Sequence, residues 1–315
     1  MKNILVTGGA GFIGSQVVRD LLEKGLNPVI YDNLTTGYSQ NLEGLPVTLI
    51  RADVRDRVPL SVAMKDHKIH GVIHLAASVG NKRSIDDPYF DAGNNYMGVL
   101  NILEAMREHG VKTIVFSSSA GIFGEPQYQP VDEKHPCEPD SPYGVSKLGG
   151  EKLILTYARL YNLKAVSLRY FNVFGPRQRF DNYGNVIPIF LKKAMNGEDL
   201  TIFGDGEQTR DFVSVRDVAA ANVAAVTGDY SGVVNVGTGQ EISVNALAKT
   251  IVGLAGGKSK IHHAENRPGD VRHCTAKVEV LKNQLGVQPR LNFDELLEEC
   301  YRWMKADKLD PMMNP

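Results

Sequence analysis

Cysteine is scarce: Cys137, Cys274 and Cys300 are all that 315 residues hold. Scattered and odd in number, they argue against a disulfide framework and suit a reducing compartment. Long apolar runs are missing as well. None approaches the roughly 20 residues that a membrane-spanning helix needs, and the start shows no charged leader with an apolar core and cleavage site. A cytoplasmic protein with no membrane partner is therefore expected. Charge of one sign is also lacking: the formal net charge is −1, and no basic or acidic block is long enough for a nucleic-acid arm or a membrane patch. Nucleic acid is not an expected partner. Nor is a metal, since His262 and His263 are adjacent and no set of side chains has ligand spacing. Repeats, low-complexity tracts and a clean linker are absent. What is left is a chain long enough to bury an ample core, and small-molecule chemistry is the first expectation for it.

What the sequence does have is alternation. Short apolar, β-rich runs at 4–7, 28–31, 47–51, 72–75, 113–117 and 165–170 read as strands. The segments 13–24, 56–66, 88–109 and 143–161 carry helical periodicity. Strand and helix in alternation predict an α/β fold, a Rossmann-type doubly wound parallel sheet. From about residue 175 the pattern loosens into Gly/Pro-punctuated pieces such as "FGPRQRFDNYG" and "AENRPGDVR". The expectation is a first domain over 1–174, to which some later segments return, and a smaller α/β C-terminal lobe over 175–315. The two lobes are expected to enclose one cleft.

"NILVTGGAGFIGSQVV" places Gly8, Gly9, Gly11 and Gly14 between an apolar strand and an amphipathic run. Glycine there permits positive φ, and the missing side chains let phosphate oxygens reach the N–H groups at a helix start. Gly8-x-x-Gly11-x-x-Gly14 is a relative of the dinucleotide fingerprint. Asp32, 18 residues after Gly14, ends the second strand, where a carboxylate can accept hydrogen bonds from both hydroxyls of an adenosine ribose. A 2′-phosphate would meet a like charge there, so NAD is expected rather than NADP. Asp53 and Val54 follow the third strand and are candidates to clamp the adenine edge.

"SPYGVSKLGGEK" holds Tyr143-x-x-x-Lys147 at the start of a helical run. One turn apart, phenol and ammonium share a face. A nearby cation favours phenolate, so the tyrosine pKa is expected to fall from about 10 toward the working pH, making Tyr143 a usable base. "VFSSSAGIFG" puts three serines at the carboxyl end of a central strand, where open α/β sheets bind ligands. One of these hydroxyls can share the substrate proton with Tyr143.

With these motifs the chain resembles the extended short-chain dehydrogenase/reductase superfamily, in its nucleotide-sugar epimerase/dehydratase branch, and above all the UDP-glucose 4-epimerases. "VTGGAGFIGS", "DNLTTG", "HLAA", "SSSAGIFGE", "SPYGVSK", "LRYFNVFGPRQ", "FGDGEQTRDFVSVRDVA", "NVGTG" and "RPGDV" occur in that family's order across nearly the whole chain. The resemblance implies Ser119 as the catalytic serine, Tyr143 as base and Lys147 as the bridge to the nicotinamide ribose. It implies further NAD contacts at Phe12, Ile13, Asn33, Leu75, Ala76, Ala77, Asn95, Ser117 and Tyr170, and a cofactor-side position for Phe171. For the UDP-sugar it implies Asn172, Asn185, Val186, Phe203, Arg210, Arg267 and Asp270, with Arg179 and Cys274 as further candidates. Two arginines to clamp a diphosphate, with an aromatic and a carboxylate for uracil and ribose, make chemical sense. A homodimer through helices 88–109 and 143–161 is implied as well.

The expected reaction is inversion of C4 of a UDP-hexose, glucose/galactose and the N-acetylhexosamine pair, through a 4-keto sugar. Ala120 and Gly121 stand where 4,6-dehydratases of the branch have an acid and a base, so dehydration is disfavoured, and Gly121 in place of a glutamate weighs against decarboxylation. Arg179 falls where UDP-glucuronate 4-epimerases have an arginine for the carboxylate. Asn172 and "GNVIP" are of the hexose type. Cys274 is small at a pocket-wall position where larger residues exclude acetamido sugars. Val79 replaces a lysine that contacts the cofactor in some members, although Lys82 is nearby. A non-catalytic NAD-binding sensor and a net dehydrogenase are the competing classes; sensors typically lose the tyrosine or the lysine, and both are present here.

Overall fold

The computed structural model describes residues 2–179, 185–265 and 271–306. Six strands alternate with helices through its first half: β1 (Asn3–Thr7), β2 (Asn27–Asp32), β3 (Thr48–Arg51), β4 (Gly71–His74), β5 (Thr113–Ser119) and β6 (Lys164–Tyr170). Apart from the edge strand β3, which is largely exposed, their runs are mainly apolar because both faces of a parallel sheet are covered. Successive side chains take opposite faces. Ile4, Val6, Ile30, Ile73 and Val115 enter one core, whereas Leu5, Val29, Tyr31, Val72 and Ile114 enter the other. The helices Phe12–Glu23 and Val215–Thr227 close the first face with Val17, Val18, Leu21 and Val218. On the second face, Arg57–Asp66, Gly98–His109 and Pro142–Tyr161 supply Leu60, Met64, Ile102, Leu103 and Ile154.

The sheet runs β3-β2-β1-β4-β5-β6 and ends on a seventh parallel strand, Gly232–Val236, paired with β6. The chain leaves β1 toward β2 and β3, then returns to β4 on the other side. That reversal opens a crevice at the carboxyl ends of β1 and β4, where such sheets take their ligands. A third core joins Phe190, Leu191, Leu200, Phe212, Leu247 and Leu297. Around it lie short two-stranded sheets, among them Leu200–Phe203 with Ile261–Ala264.

Segment 88–109 is not one helix. It comprises Pro88–Ala92, a π turn over Gly93–Met97, and Gly98–His109. Asn94 and Asn95 are buried in the π turn, and the Asn95 amide is bonded to backbone outside the helix, which holds the widened turn in place. Helix Val215–Thr227 and strand Gly232–Val236 were not among the expected elements. The helix is rich in alanine and buried nearly all round, so it shows no polar face and little periodicity.

Candidate active site

The site begins at the turn after β1. Gly8 adopts φ +69°, and a Cβ on it would stand 2.7 Å from the backbone nitrogen of Ala76. A Cβ on Gly14 would stand 2.1 Å from the Gly8 carbonyl oxygen. Only glycine lets the turn close on itself and on the loop after β4. Gly11 is the N-cap of Phe12–Glu23, with no side-chain cap and no acidic residue in the first turn. The first-turn N–H groups, those of Phe12 and Ile13 among them, therefore face an anion site without a competing carboxylate. Leu75 N donates to Thr7 O (3.1 Å) and Ala76 N to Thr7 Oγ1 (3.3 Å), so Leu75, Ala76 and Ala77 form the opposite wall.

Asp32 is buried at the end of β2. Its carboxylate accepts from Ala10 N at 3.0 Å and Leu34 N at 2.8 Å, and burial outweighs these bonds to raise its pKa. A Cβ on Gly37 would stand 2.9 Å from one carboxylate oxygen. Asn33 donates to Asp53 at 2.8 Å. Asp53 is also held by the Arg55 guanidinium, which with its other hydrogen bonds keeps the carboxylate at about 2. Val54 is buried and lies where a Cβ on Gly98 would strike it at 2.9 Å.

Tyr143 and Lys147 occupy the first turns of Pro142–Tyr161, which Ser141 caps by accepting from Gly144 N at 3.1 Å. Pro142 pre-sets φ at its start. Tyr143 shares a hydrogen bond with Ser119, whose Oγ also accepts from Gly121 N at 3.1 Å. Lys147 Nζ lies 3.4 Å from Ser117 Oγ and 4.6 Å from the centre of the Phe116 ring. Ser117 Oγ donates to the His74 carbonyl oxygen (3.0 Å). The two residues stand one turn apart on this helix. The direction of the tyrosine shift differs from expectation: burial raises its pKa, the Ser119 hydrogen bond opposes that, and the Asp91 charge adds to it. Burial also pulls Lys147 down to about 7, against the attraction of Asp91. In so dry a place desolvation is the largest influence on both groups.

Other residues group elsewhere. Asn95 accepts from Ser78 N (2.9 Å) and donates to Ser78 O (2.9 Å) and Asp91 (3.0 Å), below the Tyr143–Lys147 turn. The Tyr170 hydroxyl meets Asn222 on Val215–Thr227, and burial raises its pKa. Phe171 is buried against Phe123, ring centres 6.3 Å apart. Asn172 opens the strand Asn172–Phe174, and Asn185 and Val186 open the helix Val186–Met195. Phe203 ends Leu200–Phe203, Arg210 donates to Thr209 O at 2.7 Å, and buried Cys274 lies within the field of Arg210, its thiol pushed up to about 12 by burial. Arg179 sits over the Tyr38 ring at 6.0 Å, on the loop after β2. Arg267 and Asp270 lie outside the described residues. Val79 is exposed, and Lys82 pairs with Asp86 at 2.6 Å on the surface.

Sequence reasoning passed over Asp91, a carboxylate 1 % exposed that acts on both Tyr143 and Lys147. Its spacing four residues before Asn95 was the available signal. His74 is the last residue of β4. It is fully buried, bonded through Nδ1 to Thr7 Oγ1 (2.6 Å), and kept neutral with a pKa near 3, chiefly by burial and then by Lys147. No group of metal-ligating side chains occurs among the described residues.

A glycine cradle that any Cβ would fill, an uncapped helix N-terminus and a buried carboxylate at the end of β2 fit a dinucleotide. Beside them stands a serine–tyrosine–lysine cluster at the end of a central strand. Together they define a dinucleotide-dependent α/β enzyme of the short-chain dehydrogenase/reductase type. The chain belongs to the NAD dependent epimerase/dehydratase family, whose model matches residues 4–237. It is 37% identical to the UDP-glucose 4-epimerase of Mycolicibacterium smegmatis over 297 residues, 92% of this chain and 95% of that protein. It also resembles the crystal structure of Thermotoga maritima UDP-glucose 4-epimerase with UDP-glucose, at 36% identity and a TM-score of 0.93, covering 96% of this chain and 99% of that one. A UDP-N-acetylglucosamine 4-epimerase from Methanobrevibacter ruminantium, in complex with UDP-N-acetylmuramic acid, matches with a TM-score of 0.91 and 36% identity over 97% of this chain and 98% of that one. The chain is thus an NAD-dependent epimerase-type protein like the UDP-glucose 4-epimerases.

Proposed function

We propose that this chain inverts C4 of a UDP-hexose, interconverting UDP-glucose and UDP-galactose through a 4-keto sugar. The observation that carries the reading is the meeting of Ser119, Tyr143 and Lys147 at the end of β5, beside the crevice between β1 and β4. NAD, when bound, supplies the hydride acceptor and donor. Gly8, Gly11 and Gly14 with Phe12 and Ile13 would hold its diphosphate, Asp32 the adenosine ribose, and Lys147 the nicotinamide ribose. Tyr143 takes the proton of the sugar hydroxyl and returns it after the ring has turned, and Ser119 shares that proton. Asn172, Asn185, Val186, Phe203 and Arg210, with Arg267 and Asp270, would grip the UDP tail. A firm hold on the anionic tail and a loose one on the hexose is what inversion requires. We treat 1–174 as the NAD-binding domain and 175–315 as mainly the nucleotide-sugar lobe.

Two observations bear on the sugar. Asn172 and the "GNVIP" segment, both of the hexose type, favour a hexose over a uronate. The small side chain at Cys274 and the likeness to a UDP-N-acetylglucosamine 4-epimerase support turnover of the N-acetylhexosamine pair as well. Tyr89, Tyr96 and Met97 in 88–109, with Val145 and Leu160 on Pro142–Tyr161, are exposed and suit a homodimer through these helices, in the cytoplasm.

The test is to incubate purified protein and NAD with UDP-galactose, UDP-N-acetylglucosamine and UDP-glucuronate separately, then resolve the sugar nucleotides. UDP-glucose should form from UDP-galactose with no build-up of reduced nicotinamide. Conversion of the glucuronate alone would sink the hexose reading. Tyr143→Phe should lose at least about 10²-fold in turnover while retaining NAD, and unaltered turnover would remove Tyr143 as base.

A further inference from the structure

Asp91 sits on Pro88–Ala92, two residues ahead of the π turn, and is almost wholly buried. One carboxylate oxygen lies 2.5 Å from Ser146 Oγ, and the other accepts from Asn95 Nδ2 at 3.0 Å. Ser146 stands between Tyr143 and Lys147 on the helix, and its hydroxyl is 3.0 Å from the Tyr143 carbonyl oxygen. Asn95 is itself fixed to both backbone groups of Ser78. The carboxylate is therefore braced from two elements and aimed at the turn that carries the chemistry.

The groups facing Lys147 are few. His74 from β4 and Asp91 from Pro88–Ala92 act on its charge, while β5 contributes the Ser117 hydroxyl and the Phe116 ring. His74 is neutral. Asp91 is the anion acting on the ammonium among the described residues. Hydrogen bonds to Ser146 and Asn95 alone could be met by a neutral amide, and a buried charge without a counter-charge is costly.

Building on the reading of Tyr143 and Lys147 above, we propose that Asp91 is a positioning residue: bonded to Ser146 between them, its carboxylate clamps the catalytic turn and serves as the counter-charge to the Lys147 ammonium. It touches neither substrate nor cofactor in this role and acts through the lysine.

The experiment compares kcat/KM for UDP-galactose against pH in the NAD-loaded wild type, Asp91→Asn and Ser146→Ala. Removing a negative charge makes both ammonium and phenol more acidic. Both limbs of the Asp91→Asn profile should move to lower pH by about one unit, whereas Ser146→Ala, which keeps the charge, should slow turnover with its limbs in place. An Asp91→Asn profile that superposes on the wild type overturns the proposal, whatever its height. Should Asp91→Asn not fold, NMR titration of 13C-labelled lysine in the wild type decides. The Lys147 signal should carry a second inflection where Asp91 protonates, and its absence overturns the proposal. If Tyr143→Phe keeps its turnover, the reading of the site fails; if that variant is dead and the Asp91 profile is unmoved, only the role of Asp91 fails.

Discussion

Lys147 is 2 % exposed, packed over the Phe116 ring, and burial lowers its pKa from 10.5 to about 7. In the unfolded chain it titrates at its ordinary value. Between about pH 7 and 10.5 the unfolded state therefore binds more protons than the native one, and native stability rises with pH through that window. Below pH 7 both states carry the proton and the cost of burying it is full and constant. A displacement of that size corresponds to about 5 kcal/mol. Lys147→Met keeps the length and the contact with Phe116 but removes the charge. Asp91 loses its cation while keeping its hydrogen bonds to Ser146 and Asn95, which reduces the gain. Leaving a buried ion without its partner typically costs about 3–5 kcal/mol, set against the roughly 5 kcal/mol of burial that the ammonium no longer bears, so a gain of at most about 2 kcal/mol is expected at about pH 6. It should shrink toward zero by about pH 10, and turnover should be lost. Urea unfolding followed by circular dichroism at the two pH values reads both quantities. A variant less stable than wild type at pH 6, or a gain that ignores pH, would refute the reasoning.

Two further substitutions probe the frame around this site. Gly14→Ala would put a methyl 2.1 Å from the Gly8 carbonyl oxygen and 2.7 Å from Gly9 Cα. Backbone cannot step aside cheaply, so the variant should lose about 1–3 kcal/mol of stability and at least about tenfold in NAD affinity by calorimetric titration; an undiminished affinity would remove the turn from the cofactor site. Glu151, one turn beyond Lys147, makes a two-pronged pair with Arg169 of β6 at 2.7 and 3.1 Å, both side chains buried. Glu151→Gln should cost about 3–5 kcal/mol in denaturant unfolding, and the double replacement by methionine should recover most of it.

Much of the frame was readable in the residues because parallel strands announce themselves. A run covered on both faces is apolar throughout, so β1 through β6 fall within a few residues of the expected spans. The glycines of the first turn were equally legible, since the close approaches at Gly8 and Gly14 tolerate nothing else. Helix Val215–Thr227 was not, because small apolar residues all round erase the 3.6-residue signal, and the strand Gly232–Val236 that follows it joins the sheet far from its sequence neighbours. The break in 88–109 escaped notice for a different reason. It is fixed by the Asn95 side chain gripping Ser78, a contact between residues that helical spacing does not relate.

Tyr143 and Lys147 show where spacing stops being informative. One helical turn brings them together, and a cation beside a phenol would favour phenolate in water. The sequence carries no measure of how dry their surroundings are. In the folded chain the phenol is pushed up and the ammonium down, so the neutral forms of both are favoured over the ion pair that spacing suggests. The surrounding polar groups then decide what the pair can do. Ser119 pulls the phenol back toward ionisation, and Asp91 does the same for the lysine by favouring its charged form. Asp91 also opposes phenolate directly, so it helps the base only through the ammonium it sustains. That opposition is why charge removal at Asp91 should move both limbs of the pH profile in one direction, whereas loss of Lys147 should trade catalysis for stability. The same water-poor setting that makes the two groups reluctant to ionise also strengthens every interaction that makes them ionise, so the Ser119 hydroxyl and the Asp91 carboxylate count for more here than they would in water.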